Sequence, residues 1–236
     1  MRNLSVSLFL FLVLVVPVSG QSDWIDSLHT QYDKYYGLDM LLHNGEKYVA
    51  EVNPVEGHPF WQGEKTFMAD VYLDGKVFSN QKLRYHLHRQ EFILSYIDYN
   101  QQPNQIVLNR SAIDSIRKGD LLFVQNHHPD IEQPLLQLIF KGELICYVGY
   151  KKDLNFHSQG SDIGYEYTEE ICDYYLVYQD EVYNFRKKGK FLNIFPKEHR
   201  LEIRRFMSSQ NLRFKSIDAA GLKKLVAYCE QSLMTK

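Results

Sequence analysis

The sequence predicts an α+β fold: an antiparallel β-meander, a curved sheet or partial barrel, followed by two to three C-terminal helices. Three observations lead there. From Lys65 to Ile97, apolar and polar residues alternate with period two in three successive runs. Residue pairs that tolerate positive φ, such as Asp74-Gly75, separate extended runs in the manner of two-residue hairpin turns. Beyond Lys187 the period becomes helical, and Leu222, Leu225, Val226, Cys229 and Leu233 fall at i, i+3, i+4, i+7 and i+11.

Taken in order, residues 1–20 read as a cleavable signal peptide. Arg2 gives a positive start, Leu8 to Val16 is an apolar run too short to span a bilayer, and Val18-Ser19-Gly20 offers small residues for cleavage. Residues 21–40 read as an N-terminal arm or short helix, with Trp24, Leu28, Tyr32 and Tyr35 at helical spacing. Residues 41–186 read as the antiparallel β domain. Phe67, Ala69, Val71 and Leu73 share one face, Asp74-Gly75 turns the chain, and Leu83, Tyr85 and Leu87 return. A break at His88 to Gln90 precedes Phe92, Leu94 and Tyr96. The same hairpin design is expected at Leu41-Leu42 with Asn44-Gly45, at Leu138 to Ile145 with Lys141-Gly142, and at Val177 to Tyr183 with Gln179-Asp180. Short strands are expected at Ile106 to Leu108, Ile113 to Ile116 and Leu121 to Val124. Asn126 to Pro134 reads as a loop, Asn155 to Tyr165 as an exposed Gly- and Ser-containing stretch, and Ile171 to Tyr178 as a central strand. Residues 187–236 read as a helical segment packed on the β domain, with Pro196 opening one helix and Ser216 as the N-cap of the last.

The 236 residues are 44% hydrophobic and 14% aromatic, which excludes global disorder. The formal net charge of −2 conceals an asymmetry: Val182 to Lys236 holds 13 Lys+Arg against 4 Asp+Glu, net +9, and the remainder is net −11. Either the basic tail meets an acidic partner, or it lies solvated beside the acidic body. Lys187, Lys188, Lys190, Arg204, Arg205 and Arg213 form the candidate patch for an anionic partner. Nothing in the sequence is a nucleic-acid motif, and no nucleic-acid partner is expected of an exported chain.

Catalytic signatures are missing: there is no G-x-S-x-G elbow, P-loop, H-E-x-x-H or dinucleotide fingerprint. His86 and His88 stand at i and i+2, which on a strand puts two imidazoles on one face. With no third ligand marked by spacing, short of Asp98 or His58 arriving through the fold, they read as polar residues on the wet face. His127-His128 reads as a loop pair. Cys146, Cys172 and Cys229 match no zinc or CxxC spacing and read as buried free thiols, a Cys146–Cys172 bridge being the alternative if their strands are neighbours. No catalytic residue, metal or cofactor is therefore expected.

The motifs LLHNGEKY (41–48), EGHPFW (56–61), a hairpin ending LRYHL (83–87), YYLVY (174–178), KGKFLNIFP (188–196) and a closing amphipathic helix resemble an uncharacterised family of secreted or periplasmic proteins of Bacteroidota with no assigned activity. That resemblance implies an export location and a fold but no substrate. The family pattern has Tyr-Asp where this chain has Tyr85-His86, so any role of that carboxylate is lost or altered here. The reading is of an exported non-catalytic envelope protein, periplasmic or extracellular, acting by binding or as a structural component, with an anionic envelope component or a protein as its candidate partner. The alternatives are a carrier of an apolar small molecule or lipid in a curved-sheet cavity, and a hydrolase with an unrecognised site.

Overall fold

The computed structural model describes residues 38–50, 55–63, 65–159 and 162–234. The expected signal peptide and all but the end of the expected N-terminal arm lie outside them. A helical turn, α1 (Met40–His43), and a two-residue strand, β1 (Val55–Glu56), precede the meander β2 (Phe67–Leu73), β3 (Lys76–His86), β4 (Glu91–Ile97) and β5 (Pro103–Val107). A 3-10 turn at Arg110–Ala112 leads into β6 (Ile113–Lys118), β7 (Leu121–Gln125), β8 (Leu135–Lys141) and β9 (Ile145–Lys151). After β10 (Leu154–Gln159) and β11 (Asp162–Tyr167) come β12 (Ile171–Tyr178), β13 (Glu181–Phe185), and the helices α2 (Lys188–Ile194), α3 (Lys197–Ser209) and α4 (Ala219–Met234).

The fold is α+β, and its main sheet is a ten-stranded antiparallel meander that does not close. Its order is β13-β12-β9-β8-β7-β6-β2-β3-β4-β5. The chain runs outward from β2 to β5, then returns to pair β6 with β2 and runs outward the other way. Asp74 and Gly75 take φ of 45° and 78°, and Gln179 and Asp180 take 53° and 62°, so both turns reverse the chain as their residue chemistry requires. The hairpin at Lys141-Gly142 also forms, joining β8 to β9.

Both apolar clusters lie on one face of this sheet, because the register aligns Ile116, Phe123, Gln137 and Val148 across β6 to β9, and Val148 with Tyr174 of β12. The first cluster gathers Val71, Leu83, Tyr85, Phe92 and Phe123 under α1 and Trp61. The second joins Cys146, Leu176 and Phe185 to Phe191, Ile203 and the α4 stripe Leu222, Leu225, Val226 and Cys229. The expected docking of the last helix on the sheet is thus met, α4 packing against β8. A small third cluster, Ile131, Leu136 and Tyr175, sits on the opposite face.

Three local readings need correction. Asn44-Gly45 is not a hairpin turn: Leu41 and Leu42 are helical, and Glu46 to Tyr48 instead run beside β5, with Val107 N–H donating to Glu46 O and Tyr48 N–H to Gln105 O. Gly45 is demanded by close approach, since a Cβ there would lie 1.9 Å from the Val107 carbonyl oxygen. The stretch from Asn155 to Tyr165 is exposed as expected at Asn155, Phe156, Ser158 and Tyr165, and its strands β10 and β11 pair antiparallel, with β1 added in parallel as a separate three-stranded sheet. Ser216 does not cap α4; Asp218 does, its Oδ1 accepting from Gly221 N–H at 2.8 Å. His86 is not on a wet face: it is buried against Phe60.

Candidate functional site

The face that carries both clusters is covered twice, from different parts of the sequence. A strap from Pro59 to Gly63 lies along the end of β3, with Leu87 N–H donating to Pro59 O and Trp61 N–H to Tyr85 O. It seats Trp61 edge-on to Phe123, 5.1 Å between ring centres. The helices cover β8, β9, β12 and β13. Between the strap and the start of α4 a groove of about 1180 Å³ remains open. Its lining runs from Trp61, Gln62 and Leu121 over β8, β9 and β12 to Ile217, Ala220 and Leu222.

The floor is apolar except along one line. Gln137, fully buried in the Leu-rich strand β8, accepts from the Tyr150 hydroxyl at 2.5 Å. The Tyr150 ring lies 5.7 Å from Trp61 and touches both apolar clusters. Burial pushes its phenol pKa up, so the hydroxyl stays a donor. Farther along, Cys172 Sγ is 3.9 Å from Glu170 Oε1. Burial raises the Glu170 pKa against the opposing influence of a Gln62 backbone donor and the Lys152 charge. Burial first and the Glu170 charge second push the Cys172 thiol up to about 11. At neutral pH the groove presents a protonated thiol, a carboxyl and two tyrosines, with Lys141 and Lys223 among its other lining residues.

The histidines are held by structure. His86 is fully buried beneath Phe60, edge-to-face at 5.5 Å, and its Nδ1 accepts from Arg89 N–H at 3.1 Å. The polar face of β3 is dry there because Phe60 pairs with His86 from the strap. His88 falls beyond the strand, its Nδ1 3.2 Å from Lys152 O, so the pair does not share a strand face. His58 Nδ1 accepts from Phe60 N–H, and Asp98 accepts from Asn100 and Gln102 N–H in the β4–β5 turn. Among the described residues no group of three His, Cys, Asp or Glu could hold a metal ion. His128 packs near Tyr147 in its loop. All three cysteines are free; Cys146 and Cys229 are buried and Cys172 is half-buried. Cys146 stands opposite Leu176 and Cys172 opposite Tyr150 on the neighbouring strands β9 and β12, so the two thiols are out of register for a bridge.

The basic candidates divide. Lys187, Lys188 and Arg213 line a cleft of about 490 Å³ with Arg186, Lys215 and the ring of Phe214. Lys190, Arg204 and Arg205 are exposed on α2 and α3 but do not line it. Arg186, not singled out from sequence, is anchored: its Nε donates to Asp173 Oδ1 at 2.6 Å, and Asp173 also accepts from Gln133 Nε2. Sequence reasoning also missed the groove residues. The one available signal was Gln137, a polar residue inside the apolar run from Leu135 to Phe140. Comparison of the chain with protein-family models, with curated proteins and with solved structures finds no match.

Proposed function

We propose that this chain is an exported, non-catalytic binding protein that carries an elongated, largely apolar small molecule in the groove on its core-facing sheet surface. The observation behind this reading is the gap of about 1180 Å³ left between two well-filled apolar clusters. Small-molecule sites commonly enclose about 300–1,000 Å³, so the groove has room for such a ligand. Its lining pairs aliphatic and aromatic walls with a few convergent polar groups, Gln137, Tyr150 and Glu170, as orientation of a mainly apolar ligand requires. A nucleophilic role for Cys172 is disfavoured by its raised pKa, which keeps it a thiol at neutral pH. Export is read from the apolar run Leu8 to Val16 and its flanks.

The test is a titration of the chain from Gln21 onward with N-phenyl-1-naphthylamine, an uncharged probe that brightens in apolar surroundings. The expected result is saturable one-site binding, weakened roughly tenfold by Ala220→Phe, which fills the groove from the exposed first turn of α4 without touching either core. Absence of saturation, or equal affinity in an Ala220→Phe variant of unchanged melting temperature, would refute the reading.

A further inference from the structure

A second site lies apart from the groove, and we infer that it docks the phosphate-bearing headgroup of an anionic lipid surface. The cleft collects five cations from two places in the chain: Arg186, Lys187 and Lys188 where β13 passes into α2, and Arg213 and Lys215 between α3 and α4. Among the described residues no aspartate or glutamate lines it. Asp173 lies behind, 7% exposed, and holds the Arg186 guanidinium in place, so one cation of the five is both neutralised and positioned. The other four leave an uncompensated positive field over a concave surface.

The cleft is amphipathic. Phe214 forms part of its lining and packs into the second core, 5.5 Å from Phe185 and 5.3 Å from Phe191. Met207 and Leu212 lie beside it. A surface for a free small anion needs only charge; charge around an apolar base suits a headgroup with acyl carbon below it. The field also extends past the cleft. Arg204 and Arg205 stand one turn before Ser208, which lines it, and Lys190 lies just beyond Lys188; all three are exposed. That spread fits an extended anionic surface better than a single soluble ion, and it matches the +9 imbalance of Val182 to Lys236.

The experiment is co-sedimentation of the chain from Gln21 onward with vesicles of phosphatidylcholine, with and without about 30 mol % phosphatidylglycerol. Binding is expected to the anionic vesicles alone, and to collapse as ionic strength rises from about 0.05 M to about 0.5 M. Each cation at such a surface contributes roughly fivefold in affinity, so Lys188→Ala/Arg213→Ala should lose roughly 25-fold. Lys197→Ala/Lys224→Ala removes equal charge from exposed positions outside the cleft and should change affinity less than about twofold. Equal losses from the two pairs would reduce the effect to bulk charge and overturn the assignment. So would indifference to phosphatidylglycerol, saturable binding of inorganic phosphate without vesicle binding, or capture of soluble polyglutamate as tight as that of vesicles. Matching thermal melts of all variants separate these outcomes from misfolding.

Discussion

Gln90 ties two distant parts of the sheet together, and its removal has a calculable cost. It sits in the β3–β4 turn at φ 58°, a left-handed conformation. Its amide donates to Leu87 O within the turn and to Tyr150 O on β9 at 2.8 Å, and its carbonyl accepts from the Tyr85 hydroxyl at 2.8 Å. A hydrogen bond contributes about 1 kcal/mol net, so Gln90→Ala should cost about 3 kcal/mol. Positive φ costs a non-glycine residue about 1 kcal/mol, so Gln90→Gly should cost about 2 kcal/mol despite losing the same bonds. Tyr85 is 1% exposed, and in Gln90→Ala its hydroxyl has lost its acceptor. Tyr85→Phe should therefore cost about 1–2 kcal/mol alone but less than about 0.5 kcal/mol when combined with Gln90→Ala. Urea unfolding followed by far-ultraviolet circular dichroism, with unchanged m-values, measures all four. A Gln90→Ala protein within about 0.5 kcal/mol of wild type, or a Tyr85→Phe cost that is the same in both backgrounds, would break the argument.

Four further outcomes are expected. Gly45→Ala should destabilise by about 1–3 kcal/mol in the same assay, because its methyl would lie 1.9 Å from Val107 O and must push Glu46 to Tyr48 off β5. Glu230 on α4 accepts from Leu144 N–H at 2.8 Å, and a Cβ on Gly142 would meet that carboxylate at 2.4 Å; Glu230→Ala should cost about 1–2 kcal/mol, and Gly142→Ala should be harmful only while Glu230 is present. The buried thiols predict an alkaline limit. Cys146 and Cys229 are pushed by burial above their ordinary 9.0, and Tyr85 above its ordinary 10.0, so the fold prefers their neutral forms. That contribution is complete below about pH 9 and declines as pH climbs toward the raised values, by about 1.4 kcal/mol per pH unit for each group. Mass spectrometry after iodoacetamide treatment should find Cys172 modified first, slowly at pH 7 and faster toward pH 11, before Cys146 or Cys229.

What the sequence revealed was local. Phe67 to Leu73 alternates cleanly and ends on Asp74-Gly75, so strand and turn are fixed within a few residues of each other. Gln179-Asp180 turns without a glycine and was still readable, because both residues follow a complete apolar strand, Ile171 to Tyr178. Asn44-Gly45 has the same turn chemistry but a different cause, the approach of Val107 from more than sixty positions later. Alternation placed His86 opposite the core side of β3 but could not show that Phe60 would cover it. The basic patch was half legible: like charge flagged Lys187, Lys188 and Arg213, while Arg186 acquires its meaning only from Asp173 on β12. Gln137 went unread inside the apolar run from Leu135 to Phe140, and its partner Tyr150 is supplied by strand pairing.

The groove follows from the path of the chain. Because β6 returns to pair with β2, the sheet grows outward in two directions, and each half is roofed by what lies nearest to it in sequence. The earlier half takes α1 and the strap around Trp61; the later half takes α2 to α4. The two covers do not meet. Trp61 stops at Tyr150 and Phe123, and the first turn of α4 is fixed short of them by its cap at Asp218 and by the packing of Gly221 against Leu212 and Ile217. Ten twisted strands present more apolar surface than two such roofs can bury, and Leu121 and Phe140 are left only partly covered. That interval is crossed by a glutamine, a tyrosine and a half-buried thiol rather than by larger apolar side chains.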